Sequence, residues 1–229
     1  MKELTHIFFD LDHTLWDYDR NARSTLTEMF NKFRIGRFFS SPDAFIKTFY
    51  FVNYKLWDRY NRSEIDREYI RKNRFAIILE GRSAEDEKLM TEMSEYFVAT
   101  CPTKPAMMPG AMEILDELTE RYSLGIITNG FDDVQNIKLS CCGIASYFDI
   151  VITSETTGHR KPQRGIFDHA LNIFKLKSEN VLMIGDNPET DIKGATTAGW
   201  KAIWYNPDKR NHFNHSAEIY HLQDLMDHL

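Results

Sequence analysis

Several side chains in this sequence have types and spacings that could do chemistry. Asp10 and Asp12 are separated by a single residue, with Thr14 beyond them, in "FFDLDHTL". Residues two apart in an extended segment point to the same side. Two carboxylates so placed repel each other unless a cation lies between them, and a hard, oxygen-seeking ion such as Mg2+ meets that need. Thr128 and Asn129 close the apolar run of "GIITNGF", where a hydroxyl and neighbouring backbone N–H groups can receive an anion. Lys161, just before a proline in "HRKPQRGIF", can neutralise a phosphate. Asp186 and Asp191 in "GDNPETD" offer a further metal ligand and a support for the metal or for Lys161. Taken singly, each has a plainer reading: a turn acid, a helix cap, a surface lysine, an acid favoured at a helix start.

The elements that must position these residues decide between the readings. Five apolar segments read as core strands: His6–Phe9, Leu124–Thr128, Asp149–Thr153, Val181–Ile184 and Lys201–Trp204. Helical patterns in "VQNIKLSCC", "RGIFDHALNIF" and "ETDIKGATTAG" separate the last four. Strand alternating with helix predicts an α/β fold, a parallel sheet covered by helices on both faces. Such sheets bind ligands beyond the C-terminal ends of their strands. The acids, the threonine and the lysine all fall at such ends, and four coincidences on one rim are hard to explain by turns and caps alone.

The alternation fails between about Trp16 and Cys101. Phe45, Phe49, Leu56 and Tyr60 recur there near the helical period, followed by Ile65, Tyr69 and further apolar residues to Leu79. This predicts a helical domain over 17–103, inserted after the first strand of a core made of 1–16 and 104–229. "SEID" (Ser63–Asp66) resembles a capping box opening a helix, and Pro162 suits the first turn of another. "CPTKPAMMPGA" marks the return, with Pro109-Gly110 opening a core helix. The insert is rich in aromatics: Phe45, Phe49, Tyr50, Phe51, Tyr54, Trp57 and Tyr60. They span more than one helix face, so some must point outward; Tyr54 or Trp57 is the expected one to stack on a planar base.

Composition narrows the class. The 229 residues carry a formal charge of −6 with acids and bases mixed, which argues against a nucleic-acid polymer as partner. The three cysteines include one adjacent pair and no C-x-x-C, so neither a disulfide framework nor a zinc site is expected. His212 and His215 read as a solvated loop. No secretory pattern and no membrane-length apolar run is visible, and the cytoplasm is the expected compartment.

With the motifs in order, the sequence resembles the haloacid dehalogenase (HAD) superfamily of phosphohydrolases. "DLDHTL", "IITNG", "RKP" and "GDNPETD" look like its four motifs, and the helical insert is similar to its mobile cap. The resemblance implies that Asp10 is a nucleophile that becomes an aspartyl-phosphate, and that Asp12 is the general acid and base. It implies that Thr128, Asn129 and Lys161 hold the phosphoryl group. Asp10, the backbone carbonyl of Asp12, and Asp186 would bind Mg2+, with Asp191 in support. "ITNGF", "TSETTGHRKP", Leu56-Trp57 and "AGWKAIWYNP" look like the pyrimidine 5′-nucleotidase branch, implying nucleoside monophosphates as substrates. Phosphoglycolate or sugar-phosphate phosphatases are the alternative. A phosphomutase usually reads D-G-V rather than D-H-T in the first motif, and a dehalogenase lacks the acid at Asp12. A binding-only phosphate sensor has no need to keep Asp10, Asp12 and Lys161 together.

Overall fold

The computed structural model describes residues 4–80, 86–210 and 217–229; His212 and His215 lie outside them. The first strand, β1 (His6–Phe9), is an apolar run buried on both sides. Such a run requires cover on both faces.

The chain then enters a compact helical unit, Asp19–Lys104, built from α1 (Tyr18–Lys32), α2 (Pro42–Asn61), α3 (Arg67–Leu79) and α4 (Glu87–Thr100). Ser41 caps α2, its hydroxyl accepting from Ala44 N at 3.2 Å, with Pro42 in the first turn. Phe45, Phe49, Val52, Leu56 and Tyr60 form its buried stripe, as the helical period requires. Phe49 meets Phe97 of α4 with ring centroids 4.9 Å apart, and the Arg74 guanidinium lies 5.0 Å over the Phe97 ring. Of the aromatics left outside the stripe, Phe51 and Tyr54 are 62% and 75% exposed, while Tyr50 and Trp57 are half-buried, Trp57 against Tyr60.

The start of α3 differs from the expected capping box. Ser63 takes a left-handed φ of 61° in the turn that ends α2, and Asp66 is itself the cap, accepting from Tyr69 N at 2.7 Å. An aspartate makes as good a cap as serine, worth about 1 kcal/mol, so the helix opens three residues later than "SEID" suggests.

The second unit contains β1 and Pro105–Leu229. It continues with α5 (Ala111–Thr119), β2 (Ser123–Thr128), α6 (Asp132–Cys141), β3 (Ile150–Thr153), a single turn α7 (Ser154–Thr157) and α8 (Arg164–Phe174). Then come β4 (Val181–Gly185), a π-helical turn over Pro188–Ile192, α9 (Lys193–Thr197), β5 (Lys201–Tyr205) and β6 (Glu218–Ile219). The strands form one parallel sheet in the order β3-β2-β1-β4-β5-β6. Gly110, at φ 80°, opens α5, as Pro109-Gly110 predicts. The two-residue β6 is too short to carry an alternation pattern, so the sequence did not announce it.

One layer of the core joins Phe8, Ile127, Met183 and Trp204 of the sheet to Ile166 and Phe167 of α8 and Ala195 of α9. The register sets Phe9 beside Ile126 of β2 and Ile184 of β4. Asp10, the next residue, continues the ladder by donating its N–H to Ile184 O at 2.8 Å. β4 and β2 run only one and two residues past the level of Phe9, so the residues at and just past these strand ends share one rim.

Candidate active site

Asp10 stands at the centre of that rim, almost buried. Lys161 reaches it from the loop before α8: its Nζ lies 2.6 Å from Asp10 Oδ1, 2.8 Å from Asp191 Oδ1 and 2.7 Å from Ile127 O. An ammonium has three donors, and all three are used. Burial alone would depress the lysine, but the charges of Asp10 and Asp191 reverse this and hold its pKa above the usual range. Lys161 is thus a fixed positive charge.

The asparagine of "ITNG" holds this lysine in place. Its side chain accepts from Lys161 N at 2.8 Å and donates to Lys161 O at 2.9 Å. Its amide therefore grips the backbone of the lysine loop. The Lys161–Pro162 peptide is cis. Pro162 is not in a helical turn, because α8 begins at Arg164 with Gln163 as its cap; the lysine is in the loop, as expected, about two residues further from the helix.

Asp10, Asp186 and Asp191 each present a carboxylate oxygen within 4.8 Å of the others. Burial lifts the pKa of Asp10 well above the carboxylate range; Lys161 opposes this, while Asp191 and Asp186 add to it. Asp186 is pushed up to about 6, again chiefly by burial, with His13 and Arg210 pulling down and Asp191 pushing up. Lys161 pairs with Asp10 and Asp191, and Asp186 has the half-exposed Arg210 at 3.6 Å, yet burial still lifts Asp10 and Asp186, so the cluster remains short of positive charge. Hard oxygen donors in that deficit suit a cation such as Mg2+. Asp191 sits in the π-helical turn, where Asn187 N donates to its Oδ2 at 3.0 Å and Thr190 Oγ1 to its Oδ1 at 3.1 Å. Gly185 is needed there, since a Cβ on it would strike the Asp191 carboxylate. The Asp186 carbonyl accepts from Trp204 Nε1 and Arg210 Nη2, each at 2.9 Å.

Asp12 belongs to a different cluster. The chain turns at His13, φ 65°, so that Trp16 pairs back with Asp12. Both Asp12 oxygens accept from Lys138 Nζ, at 2.6 and 2.8 Å, and Oδ2 also faces Gln135 Nε2 at 3.3 Å. The acid group that joins Asp10 and Asp186 is therefore Asp191, while the Asp12 side chain is committed elsewhere. Thr128 Oγ1, at the end of β2, accepts from Gly130 N at 3.0 Å and Gln135 Nε2 at 2.8 Å.

Gln135 and Lys138, both buried on α6, are the site residues that sequence reasoning missed. "VQNIKLSCC" reads as an amphipathic helix. The available signal was a glutamine and a lysine three apart, on the face that should have been apolar.

A family model of haloacid dehalogenase-like hydrolases matches residues 7–205. The chain is 33% identical over 205 residues to pyrimidine 5′-nucleotidase YjjG of Escherichia coli, covering 89% of this chain and 87% of that protein. It is 29% identical to pyrimidine 5′-nucleotidase PynA of Streptococcus pneumoniae, covering 96% and 93%. A crystal structure of the HAD-hydrolase YfnB from Bacillus subtilis bound to magnesium superposes with a TM-score of 0.86 at 24% identity, over 99% of this chain and 98% of that one.

Proposed function

The chain belongs to the haloacid dehalogenase-like hydrolase family, as one of its phosphatases, and from that premise we propose that it is a Mg2+-dependent 5′-nucleotidase that works through an aspartyl-phosphate on Asp10. The observation that carries this reading is the contact of Asp10 with Lys161 at the strand end, 2.6 Å, inside a group of three acids.

The residues divide the work as follows. An Asp10 oxygen attacks the phosphorus, and the bond from phosphorus to the ester oxygen breaks. The departing oxygen takes a proton from Asp12. Water then attacks the phosphorus of the aspartyl-phosphate, giving its proton to Asp12, and inorganic phosphate leaves. Splitting hydrolysis this way replaces one hard step with two easier ones. Lys161 supplies fixed positive charge beside the transferred group, and Thr128 supplies a hydrogen bond to it. Asp10, Asp186 and the Asp12 carbonyl would hold Mg2+, with Asp191 in support. When bound, the ion neutralises the acids and the phosphoryl oxygens. Asn129 serves by fixing the backbone of Lys161.

The substrate class rests on the two nucleotidases that the chain is similar to. UMP, dUMP and dTMP should have a higher kcat/KM than AMP, glucose 6-phosphate or phosphoglycolate in one side-by-side phosphate-release assay. A tenfold advantage for glucose 6-phosphate or phosphoglycolate would replace this reading with the sugar-phosphate or phosphoglycolate phosphatase.

A further inference from the structure

Gln135 is fully buried, on the α6 face that looks toward the strand ends. Its Nε2 lies 2.8 Å from Thr128 Oγ1 and 3.3 Å from Asp12 Oδ2. Asp12 Oδ2 accepts from Lys138 and from this amide, so the amide turns its NH2 toward Asp12 and Thr128. Its Oε1 is then buried with no hydrogen-bond partner among the described residues, an unfavourable position for a polar atom that the two N–H bonds offset. Gly130 makes room for this amide: a Cβ there would collide with Gln135 Nε2.

The consequence falls on Thr128. A hydroxyl has two acceptor positions and one proton. The N–H of Gly130 and the Nε2 of Gln135 take both acceptor positions. The Thr128 proton must then go to a third atom, so the hydroxyl is preset as a donor before any anion arrives. Lys138 completes the arrangement. Its ammonium, 4.5 Å over the Trp16 ring, grips both oxygens of Asp12, and its side chain is only 7% exposed.

We propose that Gln135 and Lys138 are positioning residues: Gln135 presets Thr128 to donate to the phosphoryl group, and Gln135 with Lys138 fixes the Asp12 carboxylate for proton transfer. The proposal rests on the phosphatase reading given above.

The test uses the full chain with Mg2+, an activated aryl phosphate and a nucleoside monophosphate. Lys138→Met should lower kcat on the nucleotide, whose leaving group needs a proton, at least ~10-fold, and should affect the aryl phosphate far less. Lys138→Arg should recover most of the loss. Gln135→Met should lower kcat on both substrates by about 10-fold or more, because it acts through Thr128 on the phosphoryl group. It should add little further loss in a Thr128→Val background. Gln135→Glu can take the Thr128 proton and repel Asp12, so its loss should exceed that of Gln135→Met. Thermal melts report folding, and if the Met variants do not fold, Lys138→Gln, with the same split between substrates, and Gln135→Glu carry the comparison. Wild-type kinetics in folded Lys138→Met, Lys138→Gln, Gln135→Met or Gln135→Glu, or equal losses on both substrates from Lys138→Met, would overturn the inference and leave the phosphatase reading intact. A wild type that hydrolyses no phosphomonoester overturns both.

Discussion

Two acid clusters lie at the same sheet rim and are balanced in opposite ways. Around Asp10, three buried or half-buried carboxylates meet one buried lysine, on Asp10 and Asp191, and one half-exposed arginine, 3.6 Å from Asp186, and burial holds Asp10 and Asp186 above the ordinary carboxylate range. Around Asp12, one carboxylate has a lysine on both oxygens and an amide besides. The first cluster is incomplete without a cation; the second is complete within the chain. A strand end can thus carry two aspartates two residues apart because each answers to different neighbours.

The largest expected effects separate the clusters by function. Asp10→Asn keeps the shape and removes the attacking charge, so turnover should fall by several orders of magnitude; near-normal rates in a folded variant would break the assignment. Removing metal with EDTA should abolish turnover, Mg2+ should restore it, and Ca2+, larger and looser in geometry, should restore it poorly. Full activity after exhaustive chelation would sink the idea that the first cluster needs a cation. Asp12→Asn should cost much more on nucleotides than on aryl phosphates, and equal losses would remove the general acid.

Smaller effects test the charge balance itself, and here the signs differ. In metal-free protein, Asp186→Asn removes a charge whose burial outweighs the pull of His13, Arg210 and Lys161, so the melting temperature should rise, by the equivalent of ~1 kcal/mol once the lost Arg210 pair is set against it. Asp12→Asn instead strips Lys138 of its counter-charge. The pair is partly exposed at Asp12, so the cost should be about 1–2 kcal/mol and the melting temperature should fall. Shifts of the same sign would erase the contrast. The smallest effect belongs to Arg210→Met, which deletes one donor to the Asp186 carbonyl at an exposed side chain while Trp204 keeps the other. About 1 kcal/mol, or a Mg2+ requirement raised several-fold, is expected.

Much of this was legible in the sequence because the chemistry sits at element ends. His6–Phe9 and Val181–Gly185 are apolar runs that could only be buried strands, and the acids after them stand out by contrast. The residues that escaped notice act through tertiary contact. Gln135 and Lys138 lie well over a hundred positions from Asp12 in the chain, and their polar types on the expected apolar face of α6 were the one local sign of burial. The paired N–H and C=O bonds of Asn129 to Lys161 likewise depend on two loops meeting across β2 and β3, which no local spacing encodes. Asp66 was visible but given the wrong position in its cap, because serine and aspartate fill that position equally well.

The central claim is that Asp10 carries the phosphoryl group during turnover. Rapid acid quenching of enzyme with Mg2+ and excess nucleotide, followed by mass spectrometry of the proteolytic peptides, reads this directly. The account predicts one added phosphoryl group on the peptide containing Asp10, absent in Asp10→Asn. Steady phosphate release with no adduct at any quench time, or an adduct on a peptide lacking Asp10, would contradict it.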